Sequence, residues 1–252
     1  MKDIGKIITI TSRKGGVGKT TTLLNLAGLY SNLEKKTLIL DMDLYSNSIA
    51  TSLNLPTDKT IYNLVDDITN NRFTEFFDYV NKYNDYISVL SSLKDPRQAN
   101  YISLKYIDQI INMSKHYYDV ILIDTSHVLN DLNVVIYDNS DTILDIMSND
   151  PVDLVNTKTF VNIVSSVEFS DFRILLNESC SLEEKYFSLY DIKSFIGCGI
   201  NYKLGYEYYV KTIDKYVLDG KILTICDRVY SRDKKEYKKF EKIALDLLKS
   251  KE

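Results

Sequence analysis

The segment Lys14-Gly15-Gly16-Val17-Gly18-Lys19-Thr20-Thr21 gathers three glycines, two lysines and two hydroxyl residues, and those types in that order suit a polyphosphate. Gly15, Gly16 and Gly18 let the backbone turn its N–H groups inward around an anion, because no Cβ obstructs the turn. An apolar run, Ile7-Ile8-Thr9-Ile10-Thr11, precedes the loop, and a helical pattern opens at Thr20. The positive end of that helix adds to the cradle. Lys19 reaches the terminal phosphates, and the Thr20 hydroxyl, with Thr21 beside it, suits a Mg²⁺ shell. A glycine turn without a ligand leaves the Lys-Thr pair at the helix start unexplained. The general spacing G-x-x-x-x-G-K-[ST] would put glycine at position 13, where this chain has Arg13 followed by Lys14.

Carboxylates fall at matching places. Leu38-Ile39-Leu40-Asp41-Met42-Asp43 is an apolar strand ending in two alternating acids. A strand alternates faces, so Asp41 and Asp43 point the same way, into the crevice at the carboxyl end of a sheet. Tyr118-Asp119-Val120-Ile121-Leu122-Ile123-Asp124 brings a third acid to the same edge, where Asp124 can orient a Mg²⁺-bound water. Arg173-Ile174-Leu175-Leu176-Asn177 ends in an amide that offers both a donor and an acceptor, which suits a base edge or a plain strand-end turn. His127 has no Cys or His at ligand spacing and reads as a loop histidine. Asp145 interrupts an otherwise apolar strand, so it is expected near a sheet edge or paired.

The seven residues Lys14 to Thr20 resemble the deviant Walker A motif of the ParA/MinD ATPases, and a weaker likeness extends over most of the chain. The resemblance implies ATP and Mg²⁺ as cofactors. It implies an ATP-dependent homodimer in which Lys14 crosses to the phosphates of the facing copy. Lys14, Lys19 and Asp43 then form the catalytic set, with Asp43 beside the attacking water. Thr20, Asp41 and Asp124 surround the metal, and Asn177 hydrogen-bonds adenine. The chain departs from the family's pattern in three places. Leu44-Tyr45-Ser46-Asn47 stands where partition members often carry Pro-Gln-Gly-Asn, and looks closer to the pilus-associated branch called TadZ or CpaE. Thr125-Ser126-His127 replaces a proline-containing turn. Gly199-Ile200-Asn201-Tyr202 lacks the proline of a family segment near the base, so no contacts are assigned there.

These residues need elements to hold them. Short apolar runs at Ile7–Thr11, Thr37–Leu40, Ile87–Leu90, Val120–Ile123, Thr142–Ile146 and Arg173–Leu176 read as strands covered on both faces. Thr20–Tyr30 and Ile102–Met113 read as helices. Asp66–Asn84 is polar and aromatic with weak period, and its helices are poorly marked. Strands alternating with helical segments predict a doubly wound, mostly parallel α/β sheet with helices on both faces. No repeat, low-complexity tract or Pro/Gly/Ser linker divides the 252 residues, so a single domain over 1–252 is expected.

Composition narrows the class. Hydrophobic residues at 44% and charged residues at 26% are ordinary for a globular chain. A net charge of −4 argues against coating nucleic acid with the whole surface. No apolar run approaches the roughly 18 residues of a membrane-spanning helix, and strand-like sequence begins too early for a signal peptide. Cys180, Cys198 and Cys226 lack CxxC spacing and read as thiols in a reducing compartment. In the C-terminal segment, 234–250, Tyr237, Phe240, Ile243, Ala244, Leu247 and Leu248 form one stripe, with Lys235, Lys238, Lys239 and Lys242 elsewhere. A helix packed on the domain, a membrane-surface helix, and a DNA contact shared with Arg228 and Arg232 remain as readings. Glu236, Glu241 and Asp246 weaken the last two. The expected function is a bacterial cytoplasmic ATPase that hydrolyses ATP slowly under a protein activator or cargo adaptor. It would position a pilus or secretion apparatus, or partition DNA, with weak DNA contact and with nucleoid or inner membrane as candidate surfaces. A non-hydrolytic nucleotide-binding scaffold and a P-loop tyrosine kinase are the rivals.

Overall fold

The strands align so that every residue with candidate chemistry falls on one edge. In the computed structural model, which describes residues 4–167, 171–179, 187–208, 210, 213–226 and 234–249, eight strands form one sheet. They are β1 (Lys6–Ser12), β2 (Thr37–Met42), β3 (Asn81–Lys82), β4 (Ile87–Leu90), β5 (Val120–Thr125), β6 (Thr142–Met147), β7 (Phe172–Asn177) and β8 (Tyr202–Leu204). Their order is β3-β4-β2-β5-β1-β6-β7-β8, and only the β3–β4 pair is antiparallel. Cys180, Arg228 and Arg232 lie outside the described residues.

Alternation along the strands explains why helices cover both faces. Ile8, Ile10, Ile39 and Leu122 pack in one cluster with α1 (Lys19–Asn32) and the C-terminal helix. Ile7, Leu38, Leu40, Ile121 and Ile123 pack in another. That second face is covered by α3 (Ile61–Thr69), α4 (Leu104–Ser114) and α5 (Asp131–Asp138). Parallel strands buried on both sides read as unbroken apolar runs, and the six runs named above are the six longest strands. The two missed strands are β3, with two residues, and β8, with three; neither is long enough to show a period. The short α2 (Ser48–Ser52) follows β2.

Among the helices that the sequence reading did not mark are α5, α6 (Pro151–Ser166) and α7 (Leu189–Ile196). Their start signals are present. Asp150 accepts from the amides of Val152 and Asp153 with Pro151 at the first turn, and Ser188 with Asp191 makes a capping box. The weak segment 66–84 resolves into the end of α3, a 3₁₀ turn at Phe76–Tyr79 and β3. Asp145 is paired but not near an edge: β6 lies between β1 and β7, and its carboxylate is fully buried beside Arg13.

After α8 (Ile213–Leu218), the chain ends in α9 (Lys234–Leu247), whose Tyr237, Phe240, Ile243, Ala244 and Leu247 are buried against α1 and the sheet. Polar contacts fix it further. Tyr30 donates its hydroxyl to the Ala244 carbonyl at 3.0 Å, and Asn32 donates to the Tyr237 hydroxyl at 2.6 Å. Arg173 is the centre of the anchor. Its guanidinium reaches Asp171 at 2.8 Å and Asp246 at 3.1 Å, and donates to the Tyr202 hydroxyl. Arg173→Ala leaves the buried Asp171 without its cation and detaches Asp246. We expect a loss of about 3 kcal/mol in urea unfolding, the cost of breaking a buried pair on one side. Lys238→Ala on the exposed face of α9 should stay within about 0.5 kcal/mol of wild type.

Candidate nucleotide site

The loop between β1 and α1 takes backbone shapes that only glycine adopts freely. Gly16 has φ +78° and Gly18 φ +87°, both in the left-handed region. Gly18 also has no room for a side chain, because Asn177 Nδ2 lies where a Cβ would stand. No side chain caps the N-terminus of α1, and no acid sits in its first turn, so its free N–H groups and positive end stay available to an anion. Gly15 and Gly16 are exposed at the mouth, while Val17 is buried beneath as an anchor. Thr21, with Thr20 at the helix start, is half-buried.

Register brings the acids together. Asp41 on β2 is the direct partner of Asp124 on β5, and Asp124 is the partner of Ile10 on β1. Lys19 pairs with Asp124, and the Thr20 hydroxyl donates to the other Asp124 oxygen at 3.1 Å. Asp41 is fully buried, and neither of its oxygens makes a hydrogen bond of ordinary geometry, although the Ile49 amide contributes to its field. Burial pushes the Asp41 carboxyl well above the carboxylate range, and the charge of Asp124 pushes it further. Burial also raises Asp124, against the opposing pull of Lys19. Asp43, just past the end of β2, is half-exposed, and its charge bears on both acids. The Asp43 carbonyl accepts from the Ser92 hydroxyl at 2.9 Å, which fixes the turn.

This donor set fits Mg²⁺ bound with a nucleotide. An orphaned, buried carboxylate beside a second one and a threonine hydroxyl is oxygen chemistry that a hard divalent cation satisfies. Among the described residues no three His, Cys, Asp or Glu side chains form a metal cage of their own.

Lys14 is turned away from the Lys19–Asp124 pair. Its ammonium lies 2.9 Å from Asp150, the residue that caps α6, and that bond holds the Asp150 carboxyl below its usual range. Asn177, expected at a base, here braces the loop: its Nδ2 donates to the Val17 carbonyl at 2.8 Å, and its Oδ1 accepts from the Ser179 amide and hydroxyl. His127 is exposed on the loop after β5. The sequence reading singled out Arg13 and Asp145 separately and did not join them. The structure pairs them, and Arg13 also lines a groove of about 290 Å³ with His127, Leu129, Asn156 and Phe160.

Comparison with known proteins agrees with this geometry. A family model described as an AAA domain matches residues 5–176. A putative septum site-determining protein MinD from Emiliania huxleyi is 26% identical over 212 residues, 77% of this chain and 72% of that protein. The chromosome partitioning protein ParA of Myxococcus xanthus is 51% identical over 45 residues, which span 18% of this chain and only 16% of that protein. Among solved structures, a ParA family ATPase from Chlorobium tepidum aligns with TM-score 0.81 at 16% identity, covering 96% of this chain and 98% of its own. MinD of Pyrococcus horikoshii, complexed with Mg-ADP, aligns with TM-score 0.77 at 18% identity, covering 97% and 96%. The matching family model, the shared sheet and the glycine loop with its three acids have one reading: this chain belongs to the ParA/MinD family of P-loop ATPases.

Proposed function

We propose that the chain binds ATP with Mg²⁺ in this crevice, hydrolyses it slowly, and dimerises in the ATP-bound state to position cellular cargo. The observation that carries the reading is the Lys19–Asp124–Thr20 knot beside the orphaned Asp41. With a nucleotide bound, Lys19 would exchange Asp124 for the terminal phosphates, and Asp41 and Asp124 would be the acids that hold Mg²⁺. Bound Mg²⁺ supplies charge compensation to the transferring phosphoryl group. The chain's own work is positioning: the loop amides hold the phosphates and Asp43 orients the attacking water.

Lys14 supplies the switch. Asp150 holds it in this structure, and a triphosphate already served by Lys19 does not need it. Its destination is the phosphates of a facing copy, so each dimer buries two nucleotides across a twofold axis. No surface of this chain carries the cargo reading; Leu44-Tyr45-Ser46-Asn47 favours a pilus or secretion apparatus ahead of DNA partition, with a protein adaptor as activator. A membrane-surface role for α9 is disfavoured because its apolar stripe is already packed on α1. Its exposed lysines, interleaved with acids, leave at most weak DNA contact.

Two measurements test the reading. Lys19→Ala is expected to abolish ATP binding in calorimetric titration. Asp43→Ala should bind ATP as wild type does and lose phosphate release by at least about 100-fold, as expected when only the transition state loses a partner. Wild-type turnover in Asp43→Ala removes that residue from the chemistry, and no turnover in the wild type leaves a nucleotide-binding scaffold. In saturating Mg²⁺-ATP, light scattering should find Asp43→Ala as a dimer and Asp43→Ala/Lys14→Ala as a monomer. Equal dimer fractions would make Lys14 an ordinary surface lysine.

A further inference from the structure

Arg13 stands where the general motif has glycine, and its side chain runs back into the protein rather than out to solvent. It continues the face of β1 that carries Thr9 and Thr11. The guanidinium donates through Nη2 to the Thr11 hydroxyl and to the Tyr137 hydroxyl, the latter at 3.1 Å. Thr11 and Tyr137 bond each other at 2.8 Å. Arg13 Nε lies 3.4 Å from Asp145 Oδ1, and the guanidinium carbon sits 3.8 Å from the centre of the Phe160 ring. One side chain therefore ties the entry of the phosphate loop to β1, α5, β6 and α6.

We propose that Arg13 is a positioning residue for the nucleotide: paired with Asp145 beneath the loop, it holds the loop in its phosphate-binding shape and so sets the affinity for ATP. This rests on the nucleotide reading above. Three observations support a role beyond packing. The arginine directly precedes Lys14, whose carbonyl accepts from the Ser12 hydroxyl at 3.1 Å, so the loop entry is braced on both sides of it. Arg13 and Lys14 both hold α6, at Phe160 and at Asp150, so the loop entry is registered against that helix at two points. At the far end, Asn177 grips Val17, which leaves Gly15 and Gly16 between two fixed ends. A loop held in this way has little order left to acquire when phosphate arrives.

Asp145 has the character such a partner needs. It is fully buried, with Arg13 as its counter-ion, Asp153 of α6 as a like charge and the Cys198 thiol within its field. Burial raises its carboxyl to about 7 while Arg13 pulls it down.

The test uses the full chain at a temperature where each variant is folded by circular dichroism. Calorimetric titration with Mg²⁺-ATP compares wild type, Arg13→Gln, Asp145→Asn and the double variant. Each single change should weaken ATP binding about tenfold, the size of one lost buried contact, and the double should add little to either. KM should rise with kcat at saturation retained. Arg13→Lys should recover part of the affinity, since an ammonium keeps the charge but not the fork or the stacking. Wild-type affinity in folded Arg13→Gln, or additive losses in the double, would return Arg13 to a packing role. Should Arg13→Gln not fold, Tyr137→Phe decides: it removes a single hydroxyl partner, and affinity about threefold weaker supports the proposal while unchanged affinity overturns it. Lys19→Ala separates the two readings. ATP binding in the wild type that is lost in Lys19→Ala upholds the nucleotide site whatever Arg13 does; a wild type that binds no ATP overturns both.

Discussion

Asp41 and Asp124 face each other in register on neighbouring strands, both sealed from water. Two carboxylates so placed repel one another, and desolvation penalises a charge on either. Lys19 serves Asp124, and Asp41 keeps two oxygens without a hydrogen bond of ordinary geometry. The rest of the fold is arranged around that imbalance. Parallel order delivers the carboxyl ends of every strand but β3 to one edge, so acids from β2 and β5 meet the loop leaving β1. The loop there is glycine-rich, because Gly16 and Gly18 take φ values that other residues adopt only with strain. On the proposed reading, phosphate would take over Lys19 and a metal would serve the two acids.

Much of this was legible in the residues. Lys14 to Thr21 announce the anion cradle because φ > 0 and a phosphate-facing lysine demand particular residue types. The six longest strands were legible because sheet burial on both faces writes itself as Ile, Leu and Val. What was not legible depends on pairing in space. Asn81-Lys82 and Tyr202-Lys203-Leu204 are strands through their hydrogen bonds alone. Asp145 announced a need for a partner, and Arg13 announced a departure from pattern, but only the register Thr11 to Asp145 brings them together. Asn177 suits a base edge by its chemistry, and the structure shows its amide engaged with Val17. The starts of α6 and α7 were written in Asp150-Pro151 and in Ser188 with Asp191, and were overlooked because the helices behind them expose many apolar residues.

Lys14 and Arg13 show how adjacent residues on one loop divide two tasks. The arginine is buried among aromatic and hydroxyl groups. The lysine is half-exposed, and its salt bridge to a helix cap is weak enough to exchange. A permanent tether therefore stands beside a removable one.

The two outer strands of the sheet are the shortest in it. β3 offers two residues and β8 three, so neither rim presents a row of amides and carbonyls long enough to template another strand. For the proposed ATP-dependent dimer such rims matter, because pairing through them would be indifferent to nucleotide. With both borders stunted, strand pairing offers little purchase for a second, nucleotide-blind route to self-association.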